Sequence, residues 1–308
     1  MLKIDREELR AFIDSYKLLI LVCEYNCSLC IEPLLFSSGS STGADINVKN
    51  HFGHTALTVS SQLGYWQCVK ELLDRNADID VQNNFGHTAL TISSKNGFSQ
   101  CVKELLDRKA DTAKQTEYGH TALSLSCANK HESCTKLLID GGADIRARTP
   151  EGNTMLLISC EANAPECANL LLKEGADADE LGRDGWTALM VACTKGHAQC
   201  AQILFEAKPS LALDAQNRKG ETALMLACKM DNAECVRMLI ERGANLDLKD
   251  NDGNTALKLA GERGFKYCVQ AVVEGIRNRT AKTDIREDDL YNKGAPDMQS
   301  LHALKDSP

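Results

Sequence analysis

The feature that most constrains this chain is a short motif that returns at a fixed interval. Gly-X-Thr-X-Leu occurs seven times, with its threonine at 55, 88, 121, 154, 187, 222 and 255, so that successive spacings are 33, 33, 33, 33, 35 and 33 residues. A period near 33 residues means that one small supersecondary element is stacked on copies of itself, each copy contacting only its neighbours. Such a chain grows by adding copies and not by enlarging one core. Its 308 residues therefore do not set a domain count through the usual size limits.

Within each period the residues prescribe two short helices and a turn. The threonine is a good N-cap, its hydroxyl accepting from an otherwise unpaired N–H of the first helical turn. The leucine after it starts an apolar stripe. Nine residues past the threonine comes a position that wants left-handed backbone, occupied by Gly64, Gly97, Lys130, Asn163, Gly196, Asp231 and Gly264. Gly, Asn and Asp tolerate that conformation, and Lys130 is the poor fit. A second helix follows, carrying paired leucines such as Leu72-Leu73, Leu105-Leu106 and Leu137-Leu138, and closes on Gly-Ala-Asp or a relative such as Gly175-Ala176-Asp177.

This order of motifs at this length resembles the ankyrin repeat, whose familiar form is G-x-T-P-L-H-x-A-A, then G-H, then L-L, then G-A-D. The resemblance is strong over residues 50–275. Two departures stand out. Ala or Met replaces the proline, which costs some rigidity at the first helical position. The histidine is replaced by Thr58, Thr91, Ser124, Leu157, Met190, Met225 and Lys258, so its hydrogen bonds are expected to be absent. The resemblance implies an all-α fold class, an ankyrin-repeat solenoid of stacked helix-turn-helix repeats with β-hairpin-like loops. Seven repeats are expected at 50–82, 83–115, 116–148, 149–181, 182–216, 217–249 and 250–279. It also implies a protein–protein interaction scaffold or adaptor and not an enzyme, with a partner protein bound on the concave groove formed by the hairpin tips and the first helices.

The fourteen cysteines follow the same register. One column, thirteen residues after each threonine, holds Cys68, Cys101, Cys134, Cys167, Cys200, Cys235 and Cys268. A second, six residues after, holds Cys127, Cys160, Cys193 and Cys228, with Ser61, Ser94 and Gly261 completing it. The same seven-residue offset joins Cys23 to Cys30. It exposes a degenerate capping repeat within residues 1–49, with Lys17 at the cap position, Pro33 inside the second helix and a Ser/Gly-rich insertion near 37–42. Members of one column on successive helices sit about 8–10 Å apart, beyond the roughly 4.4–6.8 Å between Cα atoms that a disulfide needs. The thiols are therefore expected to pack as small hydrophobes in a reducing compartment, cytoplasmic or nuclear. Cys27 is the exception, on a turn and the best candidate for a reactive thiol. The run Cys23, Cys27, Cys30 lacks a fourth ligand for zinc. The competing readings are a redox-responsive regulator acting through the cysteine columns and a regulatory or inhibitory subunit of an enzyme.

Charge and hydropathy narrow the partners. The net charge is −8 and no Lys/Arg cluster offers a phosphate track, which argues against nucleic acid. The apolar run Leu18 to Cys23 is too short for membrane insertion. Ser, His and Asp fall on repeat offsets with no nucleophile motif, so no catalytic residue, cofactor or metal site is expected, and the chain is expected to be a monomer. The residues singled out lie at the hairpin tips of the second to fourth repeats, the degenerate one being counted as the first: His51, Phe52 and His54; Asn84, Phe85 and His87; Glu117, Tyr118 and His120. Trp186 extends them. Large apolar side chains on a loop tip cost solvation unless they pack or meet a partner. Packing of each ring on the neighbouring hairpin is the competing explanation. His54, His87 and His120, about 10 Å apart per repeat, are too distant to share one ion. Residues 280–308 leave the period, are polar, and are expected to form a disordered tail.

Overall fold

A computed structural model describes residues 45–292. These fall into two compact units divided at Ala212/Leu213, with Cys193–Ala198 grouped with the second. The first unit holds four complete helical hairpins: α1 (Ala56–Leu63) with α2 (Trp66–Asp74), α3 (Ala89–Asn96) with α4 (Ser99–Asp107), α5 (Ala122–Ala128) with α6 (Glu132–Asp140), and α7 (Met155–Ala162) with α8 (Pro165–Lys173). Helices α9 (Ala188–Lys195) and α10 (Ala198–Ala207) are each divided between the units. The second unit contains α11 (Ala223–Lys229) with α12 (Ala233–Glu241), and α13 (Ala256–Glu262) with α14 (Lys266–Asn292). In both units first helices pack on first helices and second on second. Thus α1, α3, α5 and α7 form one layer, α2, α4, α6 and α8 another, while α11 meets α13 and α12 meets α14.

The motif residues act as the sequence requires. Thr55, Thr88, Thr121, Thr154, Thr187, Thr222 and Thr255 each accept from the backbone N–H three residues on. All seven turn positions are left-handed, Lys130 included at φ 63°. The reason lies in the bonds around it: Lys130 N donates to Cys127 O at 3.2 Å and His131 N to Ser126 O at 2.9 Å, which satisfies the carbonyls at the end of α5. One expectation is corrected. The hydrogen bonds expected to vanish with the missing histidine are made by threonine at two repeats: Thr58 Oγ1 accepts from Thr55 N, and Thr91 Oγ1 from Thr88 N, both at 2.8 Å. Each hydroxyl then donates back to the cap carbonyl. A side chain one turn into the helix reaches the cap without needing an imidazole.

The core is a ladder of repeat leucines, with Leu57, Leu90, Leu123, Leu156, Leu189 and Leu224 from first helices and Leu72, Leu105, Leu138, Leu171, Leu204 and Leu239 from second helices all buried. The described cysteines are free and buried. Free, buried thiols are what the spacing within one column implied, and the arrangement adds a relation between the two columns. The two columns meet across repeats, so that Cys127 hydrogen-bonds Cys167, Cys160 hydrogen-bonds Cys200, and Cys193 hydrogen-bonds Cys235. Thr135 Oγ1 lies between the first pair, 3.9 Å from Cys127 Sγ and 3.4 Å from Cys167 Sγ. Burial pushes the Cys101 and Cys228 thiols up to about 12 and Cys134 to about 11. The serines that stand in the second column, Ser61 and Ser94, are equally buried but their hydroxyls have no hydrogen-bond partner.

Hairpin loops join the repeats without forming an extended strand among the described residues, where the one isolated bridge pairs Arg148 with Thr154. The 33-residue period reappears as hydrogen bonds between loops: Asn84 N to Phe52 O at 3.1 Å, Glu117 N to Phe85 O at 3.0 Å, and Gln82 Nε2 to Gln115 O at 2.8 Å. The degenerate repeat expected within 1–49, with Cys23, Cys27 and Cys30, lies outside the described residues apart from its last five positions. At the other end α14 runs through Asn292, past the point near 280 where the period stops. No proline interrupts the helix between 266 and 292, and backbone hydrogen bonding continues where the repeat pattern does not. Residues 293–308 lie outside the described residues.

Candidate partner-binding surface on the second to fourth repeats

The tips of these three repeats are tightly built. Asn50 N donates to His54 O at 2.9 Å and Gly53 N to Asn50 O at 2.8 Å, while Asn50 Oδ1 accepts from both Phe52 N and His54 N. Asn83 makes the same four bonds with Phe85, Gly86 and His87. In the fourth repeat Thr116 takes this place, its hydroxyl accepting from His120 N at 3.2 Å. Each tip is thus an Asx- or Thr-closed turn that fixes the backbone from which the aromatic residue projects. Gly86 makes the close stacking possible. Its φ is +72°, and a Cβ there would lie 2.5 Å from Glu117 N, in the path of the loop-to-loop hydrogen bond.

The aromatic rings remain largely in solvent. Phe52 is 51% exposed, Phe85 48% and Tyr118 68%. Stacking of one hairpin on the next is carried by the carbonyls of Phe52 and Phe85, which leaves the rings with accessible faces. His51 lies against Phe52 with ring centroids 3.9 Å apart. Asn84 and Glu117 are exposed beside them, whereas Trp186, after a 3-10 turn over Arg183–Gly185, is only partly exposed.

Behind the tips lies a cleft of about 370 Å³. It brings Phe85, Tyr118, His54 and His87 together with Asn83, Ile92, and the first-helix residues Gln62, Lys95 and Asn96. His51, Phe52, Asn84, Glu117, His120 and Trp186 do not line it. Gln62, Ile92, Lys95 and Asn96 were not among the residues singled out from sequence. Three of them occupy the positions seven and eight residues past the threonine, just before the inter-helix turn, and that offset was the available signal.

Two of the histidines, His54 and His87, are shifted toward the neutral form. Asn83 Oδ1 is committed to two backbone N–H groups, so its Nδ2 donates to His54 Nε2 at 3.3 Å. The proton of neutral His54 therefore sits on Nδ1, which is buried without a partner. His87 Nδ1 lies 3.3 Å from Thr91 Oγ1. Burial lowers the pKa of both histidines, and Lys95 lowers His87 further. Among the described residues no three His, Cys, Asp or Glu side chains converge as metal ligands, and no helix is long and apolar enough to cross a membrane.

Comparison with known proteins agrees with the fold. The profile described as "Ankyrin repeats (3 copies)" matches residues 18–116, 64–149, 93–181 and 123–213, and "Ankyrin repeats (many copies)" matches 206–260. The first match begins inside the stretch read as a degenerate repeat. Among curated proteins no significant match is found. Among solved structures the chain is similar to the human ASB11 ankyrin repeat domain, with a TM-score of 0.66 and 23% identity over 72% of this chain and 98% of that one. It is also similar to the ankyrin repeat domain of Bcl-3, a member of the IkappaB protein family, with a TM-score of 0.63 and 26% identity over 71% of this chain and 98% of that one. Ankyrin repeats are in general protein–protein interaction modules. The periodic threonine caps, the left-handed turns, the stacked helical hairpins and the matching profiles together place this chain in the ankyrin repeat family.

Proposed function

We propose that the chain is a scaffold or adaptor that binds a partner protein on the face built by its second, third and fourth repeats. The observation that carries this reading is the set of three aromatic side chains, Phe52, Phe85 and Tyr118, held about half exposed or more on hydrogen-bonded tips beside a cleft. Aromatic anchors on rigid backbone supply contact area at low entropic cost, and such residues dominate the energy of protein interfaces. Phe85 and Tyr118 belong to both the tips and the cleft and form the centre of the site, with His51, Phe52, Asn84, Glu117 and His120 as its rim. Trp186 contributes less, being the most enclosed of the four. An inhibitory or regulatory subunit of an enzyme would use the same surface.

A redox role for the cysteine columns is less well supported. Burial raises the thiols of Cys101, Cys134 and Cys228, and although the thiol opposite lowers Cys167, Cys200 and Cys235, all of these cysteines are buried away from any oxidant. The free thiols suit a reducing compartment, cytoplasmic or nuclear, and the reading assigns the chain no catalytic step. The test is a quantitative pull-down comparing wild type with a Phe52→Ala/Phe85→Ala/Tyr118→Ala variant, with circular dichroism to verify folding. Specific loss of one or a few partners is expected; equal recovery of every partner by both proteins would remove the aromatic face from the account.

A further inference from the structure

We infer that the cleft of the second to fourth repeats is built to accept a carboxylate from its partner, as an Asp or Glu side chain flanked by an aliphatic or aromatic one. This rests on the reading above that this face binds protein, and it specifies the chemistry of what binds.

One pair of register positions, occupied differently in two repeats, points to this ligand. The residue just before the capping threonine and the residue seven beyond it lie close together at the start and end of the first helix. In the repeat capped by Thr222 these are Glu221 and Lys229, and they form an ion pair with Lys229 Nζ 2.8 Å from Glu221 Oε1. The carboxylate is almost wholly buried, with a second donor, Asn217 Nδ2, at 3.0 Å. The fold itself thus supplies an example of a carboxylate held at this level against a lysine of this register. In the repeat capped by Thr88 the same two positions hold His87 and Lys95. The lysine is retained, but the carboxylate is replaced by an imidazole, which carries no negative charge in either protonation state and cannot serve as its counter-ion. Lys95 makes no ion pair among the described residues, and no Asp or Glu lines the cleft.

A partner carboxylate entering beside Lys95 would take the part that Glu221 takes. Phe85 and Tyr118, on the same cleft, provide the apolar contact for the residue next to it. Gln62 and Asn96 add polar groups that can orient a backbone. Buried or half-buried charge-assisted hydrogen bonds of this kind are stronger than neutral ones and more specific.

The experiment is selection of a random peptide library displayed on phage against the immobilised full chain, followed by fluorescence polarisation with the enriched peptides. The expected consensus carries Asp or Glu adjacent to Leu, Ile, Phe, Tyr or Trp. Replacing that acid with its amide should weaken binding about tenfold or more, the size of one charge-assisted hydrogen bond. Lys95→Glu, on an exposed residue whose change leaves the fold intact by circular dichroism, should lose the acidic peptides and enrich Lys/Arg-containing ones. Phe85→Ala separates the two levels of the argument. If it abolishes binding while Lys95→Glu and the amide peptides bind as well as their parents, the carboxylate inference fails and the protein-binding face stands. If selection yields apolar sequences without acids, the inference also fails; if no peptide is enriched and Phe85→Ala has no effect on partner capture, both readings fail.

Discussion

Ser94 offers a stability test whose sign runs against the usual effect of a core substitution. It occupies the second cysteine column, is fully buried within α3, and its hydroxyl finds no partner. A buried hydroxyl without a hydrogen bond costs about 1–3 kcal/mol relative to a satisfied or absent one. Ser94→Ala removes that cost and adds about 0.5 kcal/mol of helix propensity. Against this stands the space of one oxygen atom, about 0.3 kcal/mol at about 24 cal/mol per Å³ of cavity. The net expectation is a gain of about 1–3 kcal/mol, with Ser94→Cys, the residue used by four other repeats, comparable or better. Ser93 is the internal control: equally buried, its hydroxyl donates to Ala89 O at 2.8 Å, so Ser93→Ala should gain nothing. Urea denaturation followed by circular dichroism reads the result as a rise in midpoint at unchanged slope. A midpoint for Ser94→Ala at or below that of wild type, or equal to that of Ser93→Ala, would refute the reasoning.

Further outcomes follow from the same structure. Gly86→Ala should destabilise by at least about 2 kcal/mol, combining about 1–2 kcal/mol of left-handed strain with the clash at Glu117 N, and should raise hydrogen exchange at the Glu117 amide. His54 and His87 have pKa values lower in the folded chain than the ordinary 6.5, so as pH falls below that value the unfolded chain takes up protons first. Stability is then full above about pH 6.5 and declines below it, and His87→Gln should flatten part of that decline in denaturation midpoints measured across the range. Native Cys101, Cys134 and Cys228 should resist iodoacetamide at pH 8 and label at the rate of unfolding, as read by mass spectrometry; rapid labelling of the native chain would contradict their burial.

What the sequence discloses is what local chemistry and period dictate. The capping threonines, the left-handed turns and the leucine ladder are repeated choices, and a choice made seven times leaves little room for another fold. What it hides depends on which positions meet across repeats. The two cysteine columns are each visible as a spacing, but Cys127 against Cys167 joins the first helix of one repeat to the second helix of the next, and linear offsets within a column do not reveal it. Thr58 and Thr91 look like the loss of a histidine until their hydroxyls are seen closing the cap. At the candidate site the aromatic tips are legible because apolar residues on loops are conspicuous. The cleft is not, because Gln62, Lys95 and Asn96 are ordinary polar helix residues whose meaning comes from facing His54, Phe85 and Tyr118. Trp186 shows the converse, a conspicuous residue that is only partly exposed.

The claim at the centre of this account is that a partner protein sits on the tips of the second to fourth repeats. Site-specific photo-crosslinking tests it most directly, with p-benzoylphenylalanine placed singly at Phe85, at Tyr118 and, as an aromatic on α14 more exposed than either, at Tyr267, which is 71% exposed. The account predicts one discrete partner adduct shared by positions 85 and 118 and missing from position 267. Adducts of equal yield from position 267, or none from 85 and 118, would contradict it.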